Sequence, residues 1–66
     1  MDEKTYGRRI LEKRKGQRLN QADVVRHVRI AVATLSDIEN SRVGITEDTF
    51  DEIMDGIDLA ADEGGR

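Results

Sequence analysis

The chain has 66 residues, 36% of them hydrophobic and 38% charged, with no cysteine, proline or tryptophan. That length holds one small domain with a marginal core and excludes an enzyme built from separate substrate and cofactor domains. The missing cysteines exclude a disulfide framework, a thiolate metal site and a cysteine nucleophile, and suit a reducing cytoplasm. The formal charge of −3 hides a division along the chain. Residues 1–42 carry ten Lys and Arg against six Asp and Glu, a balance of +4, whereas residues 43–66 carry one Arg against eight acids, a balance of −7. Such asymmetry suits a polyanion-facing half beside a solvating half; it equally suits ordinary helices with Lys and Arg on their wet faces. No apolar run is long enough for a transmembrane helix or a signal-peptide core.

Without proline, and with one Tyr and one Phe, the chain is expected to be all-α. The first helix is predicted from about residue 2 or 4 to Lys15, with Tyr6, Ile10 and Leu11 forming an apolar stripe. Gly16 stands where a helix C-terminus would want it, after three basic residues that suit the negative end of the helix dipole. Asn20 is a good N-cap for a short second helix, Gln21 to Val28, which buries Val24, Val25 and Val28. Arg29 and Ile30 interrupt the pattern. A third helix, roughly Ala31 to Asn40, turns Leu35 and Ile38 inward, and Ser41 to Gly44 reads as a loop. Thr46 caps a fourth helix whose Glu47 and Asp48 complement its positive end. Phe50, Ile53 and Met54 form its apolar face, Gly56 is expected to end it, and Ile57 and Leu59 to pack back on the core. From Ala60 onward an acidic, glycine-containing flexible tail is expected, so that residues 1–59 form the domain.

Features that carry chemistry are sparse. His27 is the sole histidine and has no cysteine or second histidine beside it for a zinc site; it is expected to face solvent on the second helix. Asp51, Asp55 and Gly56 echo a calcium loop, but Ile53 stands at a ligand position and the segment reads as a helix. Ser36 and Ser41 have no paired base, and no glycine-rich phosphate loop is present. Neither an enzyme, a cofactor, a metal nor a small-molecule ligand is expected.

Two short helices joined by about three residues, the second amphipathic, draw a helix-turn-helix outline. The residues add more. Leu19-Asn20-Gln21 opens the motif, Val24, Val25, Val28 and Ile30 follow in register, and Leu35-Ser36-Asp37-Ile38-Glu39-Asn40-Ser41 closes it. This pattern resembles the phage repressor and Cro family of helix-turn-helix proteins over roughly residues 5 to 59, including Gly7-Arg8-Arg9-Ile10 and Arg14. The resemblance implies a four- to five-helix, lambda-repressor-like domain that binds double-stranded DNA as a transcriptional regulator of repressor type, in a bacterial cytoplasm or a phage-infected host.

It also implies roles for particular residues. Asn20 and Gln21 match positions that hold the DNA backbone, as does Asn40. Arg14 and Glu39 match an internal ion pair between the first and third helices. The third helix would enter the major groove, with Val32, Ala33, Ser36 and Asp37 at base-contact positions and Ala31 and Thr34 flanking them. The side chains usual for bidentate contacts to guanine and adenine are missing there. Val32, Ala33 and the Thr34 methyl can meet thymine methyl groups; Ser36 can donate or accept. Asp37 either accepts from a cytosine amine or pairs with an arginine or solvent. Further backbone candidates are Arg26, Arg29, Thr34 and Arg42, with Arg8, Arg9, Lys13, Lys15 and Arg18 adding to the basic half.

Two positions depart from the family pattern. Arg29 stands where the turn prefers glycine, so either the turn differs or a left-handed residue is strained by about 1–2 kcal/mol. Ala31 stands where Ser or Thr would cap the recognition helix, a loss of about 1 kcal/mol. Family members usually dimerise, and the chain reads either as a small complete protein of Cro size, binding as a monomer or homodimer, or as the DNA-binding part of a longer repressor. The alternative reading is a helix-turn-helix fold used for protein binding, as in an antitoxin-like or anti-repressor module; the acidic C-terminal segment and the apolar third helix favour it.

Overall fold

The apolar spacings become four helices in the computed structural model, which describes residues 3–64: α1 Glu3–Gly16, α2 Gln21–Val25, α3 Val32–Glu39 and α4 Glu47–Gly64. The domain is all-α, with no strand among the described residues. α1 and α2 each pack on both α3 and α4, while α1 with α2 and α3 with α4 make little contact. In cross-section the helices therefore follow one another round the core as α1, α3, α2, α4, and α3 and α4 stand at diagonal corners. Ile10, Val24, Leu35, Ile53 and Ile57 are fully enclosed, and Val28, Ile38, Phe50 and Ala60 nearly so. Each large aliphatic side chain enclosed in this way contributes about 1.5–3 kcal/mol. Tyr6, Leu19, Val25, Ile30, Ile45 and Met54 close the rim. The Tyr6 ring stacks on Phe50 at 4.6 Å between centroids, with the Arg9 guanidinium 5.0 Å from the Phe50 centroid.

α1 and α3 end in the same way. After α1 the Arg18 amide donates to the Lys15 carbonyl (2.9 Å) and the Leu19 amide to that of Arg14 (3.2 Å); after α3 the Ser41 amide donates to Ile38 (3.1 Å) and Arg42 to Asp37 (2.8 Å). These are paired Schellman bonds, which place the residue after the C-cap in the left-handed region. That residue is Arg18 in one case (φ 58°) and Ser41 in the other (φ 59°). α1 thus ends at Gly16, where a helix C-terminus is expected, while the left-handed residue of the stop is Arg18 and not a glycine. The turn brings the partly buried Leu19 against the core.

α2 is shorter than its periodicity predicts. It ends at Val25, and the amides of His27 and Val28 reach back only three residues, to Val24 (3.0 Å) and Val25 (3.4 Å). These tight turns keep Val28 buried while redirecting the chain, so the connection to α3 spans residues 26–31 rather than about three. Arg29 is not among the left-handed residues. The turn differs from a glycine-containing one, and the anticipated strain is absent there.

α4 departs furthest from expectation. It runs through Gly56 to Gly64, carried by an apolar stripe at Phe50, Ile53, Ile57 and Ala60. Gly56 serves as a notch: a Cβ there would sit 2.4 Å from Cγ2 of Val28, so its absence lets α4 close on the turn after α2. Residues 60–64 are helical instead of forming a flexible tail, and Ala60 is buried; Gly65 and Arg66 lie outside the described residues. Leu59, expected to pack inward, falls on the outer face and is 53% exposed. Thr46 caps the helix, its Oγ1 accepting from the Thr49 amide at 3.2 Å. Gly7 makes a second close approach, since a Cβ there would lie 2.2 Å from the Ile38 carbonyl oxygen.

Two glycine exchanges should act in opposite directions in urea unfolding. Ser41→Gly relieves left-handed strain and should stabilise the domain by about 0.5–1 kcal/mol, net of the added freedom of the unfolded chain. Gly56→Ala should destabilise it by about 1–2 kcal/mol, overpacking against Val28 outweighing the gain in helix propensity.

Candidate nucleic-acid interface

The inner side of α3 is fixed by a buried polar network. Arg14, at the end of α1, donates from Nε to Glu39 Oε2 (2.7 Å) and from Nη2 to Glu39 Oε1 (2.9 Å), while its Nη1 donates to the Leu19 carbonyl (2.8 Å). Gln21, the first residue of α2, donates from Nε2 to the same Glu39 Oε1 at 2.9 Å. Arg14 is 9% and Glu39 6% exposed, so the pair is held out of water and each group supplies what the other lost. Among the described residues no buried side-chain nitrogen or oxygen lacks a partner. The Gln21 amide therefore serves the scaffold, joining α2 to α3, a role that the sequence does not signal because it depends on the end of α3 lying beside the start of α2. Asn20 stays apart from this network and caps α2 in a reciprocal box: its Oδ1 accepts from the Asp23 amide (2.8 Å), and its own amide donates to Asp23 Oδ2 (3.0 Å).

The opposite side of α3 is open. Ala31, Val32, Ala33, Thr34 and Asn40 are exposed, with Val32 at 42%, and Ser36 and Asp37 are half-buried. Ala31 caps the helix in an extended conformation without a side-chain hydrogen bond. The polar side chains further along fold back on the helix itself. Asn40 Nδ2 donates to the Ser36 carbonyl at 2.8 Å and lies 3.4 Å from Ser36 Oγ. Asp37 faces Arg42 at 3.7 Å, both largely in solvent. The four base-contact candidates thus share one end of one exposed surface, with aliphatic side chains leading and hydrogen-bonding groups behind.

The basic residues divide into two sets. Arg8 pairs with Glu12 (3.6 Å), Lys13 with Asp58 on α4 (2.8 Å), and Arg9 lies on Phe50. Lys15, Arg18, Arg26 and Arg29 are exposed and have no ion-pair partner among the described residues. Arg26 and Arg29 lie in the turn that leads into α3. Arg18 and Arg26 also line a cleft of about 630 Å³ between the α1–α2 loop and the end of α4, where Asp23 and Glu63 balance their charge. His27, expected in solvent on α2, lies instead in the turn after it and contacts Glu63. All eight acids of residues 43–66 are on α4, and two of them face the basic half, Asp58 on Lys13 and Glu63 on His27.

Comparison with protein-family models, with curated proteins and with solved structures finds no match to this chain.

Removing one member of the buried pair leaves the other charged and unpartnered. Glu39→Ala should cost about 3–5 kcal/mol, whereas the double change Arg14→Met with Glu39→Leu should recover most of that loss. Denaturant midpoints of the three proteins measure both effects.

Proposed function

We propose that this chain binds double-stranded DNA as a helix-turn-helix transcriptional regulator of repressor type, with α3 in the major groove. The observation that carries this reading is the two-sided character of α3. Its inner side is locked to α1 and α2 by the Arg14–Glu39–Gln21 network, and its outer side is left uncovered. A short helix held rigidly at the surface, entered through a turn bearing Arg26 and Arg29, suits insertion into a groove 12 Å wide whose rims are phosphates. Arg26, Arg29, Arg42 and the side-chain nitrogen of Asn20 are the backbone contacts of this reading, with the exposed Lys15 and Arg18 adding longer-range attraction. Gln21 is assigned to the scaffold. The likeness of Leu19–Ser41 to the phage repressor and Cro pattern supports the reading further.

A second reading, a protein-binding module on the same fold, is favoured by one observation: Val32, Val43 and Leu59 are large apolar side chains left exposed. The two readings separate by charge. Fluorescence anisotropy with a labelled duplex from the DNA flanking the chain's own gene, beside a scrambled duplex, should show preference for the former and affinity falling steeply with salt. The double variant Arg26→Glu/Arg29→Glu should abolish binding with the helical circular dichroism unchanged. Retained binding by that variant would rule out this placement of the turn, and no binding by the parent at low salt would favour the protein-binding module.

A further inference from the structure

Resting on the DNA-binding reading, we propose that α3 recognises its site through the 5-methyl groups of pyrimidines, and that it accepts 5-methylcytosine wherever it accepts thymine. The leading end of the exposed surface is methyl in character: the exposed Ala33 stands between Val32, 42% exposed, and the exposed Thr34. No side chain from Ala31 to Thr34 carries a nitrogen donor or is long enough to span two groups on a base edge. Guanine presents two acceptors to the major groove, and adenine an acceptor beside a donor, so each calls for a donor of the kind that this end of α3 lacks. The hydrogen-bonding groups on this side are few: the Thr34 and Ser36 hydroxyls are short single-point groups, the Asn40 amide donates to the Ser36 carbonyl at 2.8 Å, and Asp37 is drawn toward Arg42 at 3.7 Å.

What remains legible to an aliphatic surface is the C5 position of a pyrimidine. Thymine carries a methyl group there, and uracil and cytosine carry hydrogen. 5-Methylcytosine places the same methyl at the same point and differs from thymine at C4, which Val32 and Ala33 have no polar atom to interrogate. The order of preference at a contacted position is therefore thymine equal to 5-methylcytosine, with uracil and cytosine weaker. Each methyl contributes about three- to fivefold in affinity, the share of one methyl-sized apolar surface removed from water. A regulator reading this way would respond to cytosine methylation of its site.

The test begins with a randomised duplex pool selected on the full chain at low salt. The strongest duplex is then resynthesised with deoxyuridine for thymidine, one position at a time. One to three positions should lose about three- to fivefold each. At those positions a 5-methylcytosine–guanine pair should bind within twofold of the thymine–adenine pair, and an unmethylated cytosine–guanine pair should match the uracil level. The variant Val32→Ala/Thr34→Ser, which removes exposed methyl groups only, should bring the thymine-to-uracil ratio down toward one and leave the salt dependence unchanged. The proposal is overturned if uracil binds as well as thymine, if 5-methylcytosine binds no better than cytosine, or if the variant keeps the parental ratio. It is overturned too if the pool binds without enrichment; in all these cases DNA binding itself stands. Failure to bind any duplex overturns the proposal and the DNA-binding reading together.

Discussion

A guanidinium and a carboxylate buried against each other decide where α3 can lie. Arg14 reaches Glu39 with two nitrogens and the Leu19 carbonyl with the third, and Gln21 completes the coordination of the carboxylate. The end of α1, the loop after it, the start of α2 and the end of α3 thus share a single fixed point. The net stabilisation from such a pair is small, because removing two charges from water costs about as much as their attraction returns. Its effect is on geometry. In a domain with a core this small, aliphatic contacts alone would tolerate a shifted or rotated α3. A planar fork aligned on a carboxylate does not, since a small rotation would leave a buried charge without its hydrogen bonds.

That fixed point also divides α3 into two surfaces with different obligations. The inward side is constrained by Leu35, Ile38 and Glu39, all buried. The outward side has no packing to satisfy, so side chains as small as Ala33 and as exposed as Val32 are compatible with the fold. The two close glycine approaches serve the same frame. Gly7 allows α1 to touch the carbonyl end of α3, and Gly56 allows α4 to close on the turn after α2. The motif is therefore gripped at both its turn and its end, while the helix between them faces solvent.

Much of this was legible in the sequence, and the exceptions share a cause. The 3.6-residue spacing located α1 and α3 to within about two residues, and Asn20 and Thr46 marked the starts of α2 and α4, because periodicity and capping are local properties. Gly56 shows why a helix end can be misplaced: a glycine that ends a helix and a glycine that admits a neighbour look alike in one dimension. The Gly56 notch exists only because Val28 lies opposite. The end of α2 was obscured because Val28 keeps helical spacing while the backbone beneath it has already tightened into shorter turns. The role of Gln21 was hidden in the same way, since its partner is eighteen residues distant. From Ala60 the composition, rich in acid and glycine, points to a tail, whereas the apolar stripe continuing at Ile57 and Ala60 carries the helix on.

The corner that α4 occupies has a consequence for motion in solution. With eight acids gathered on one helix and a surplus of positive charge in the remainder of the chain, the domain's charge is unevenly distributed despite its modest net value. Near any extended polyanion such a molecule feels a torque before it feels contact, one that swings α4 away from the surface. Its net charge repels while its orientation attracts, and the balance shifts within about 10 Å, the screening distance at 0.1 M salt. Orientation would thus precede contact with any such surface.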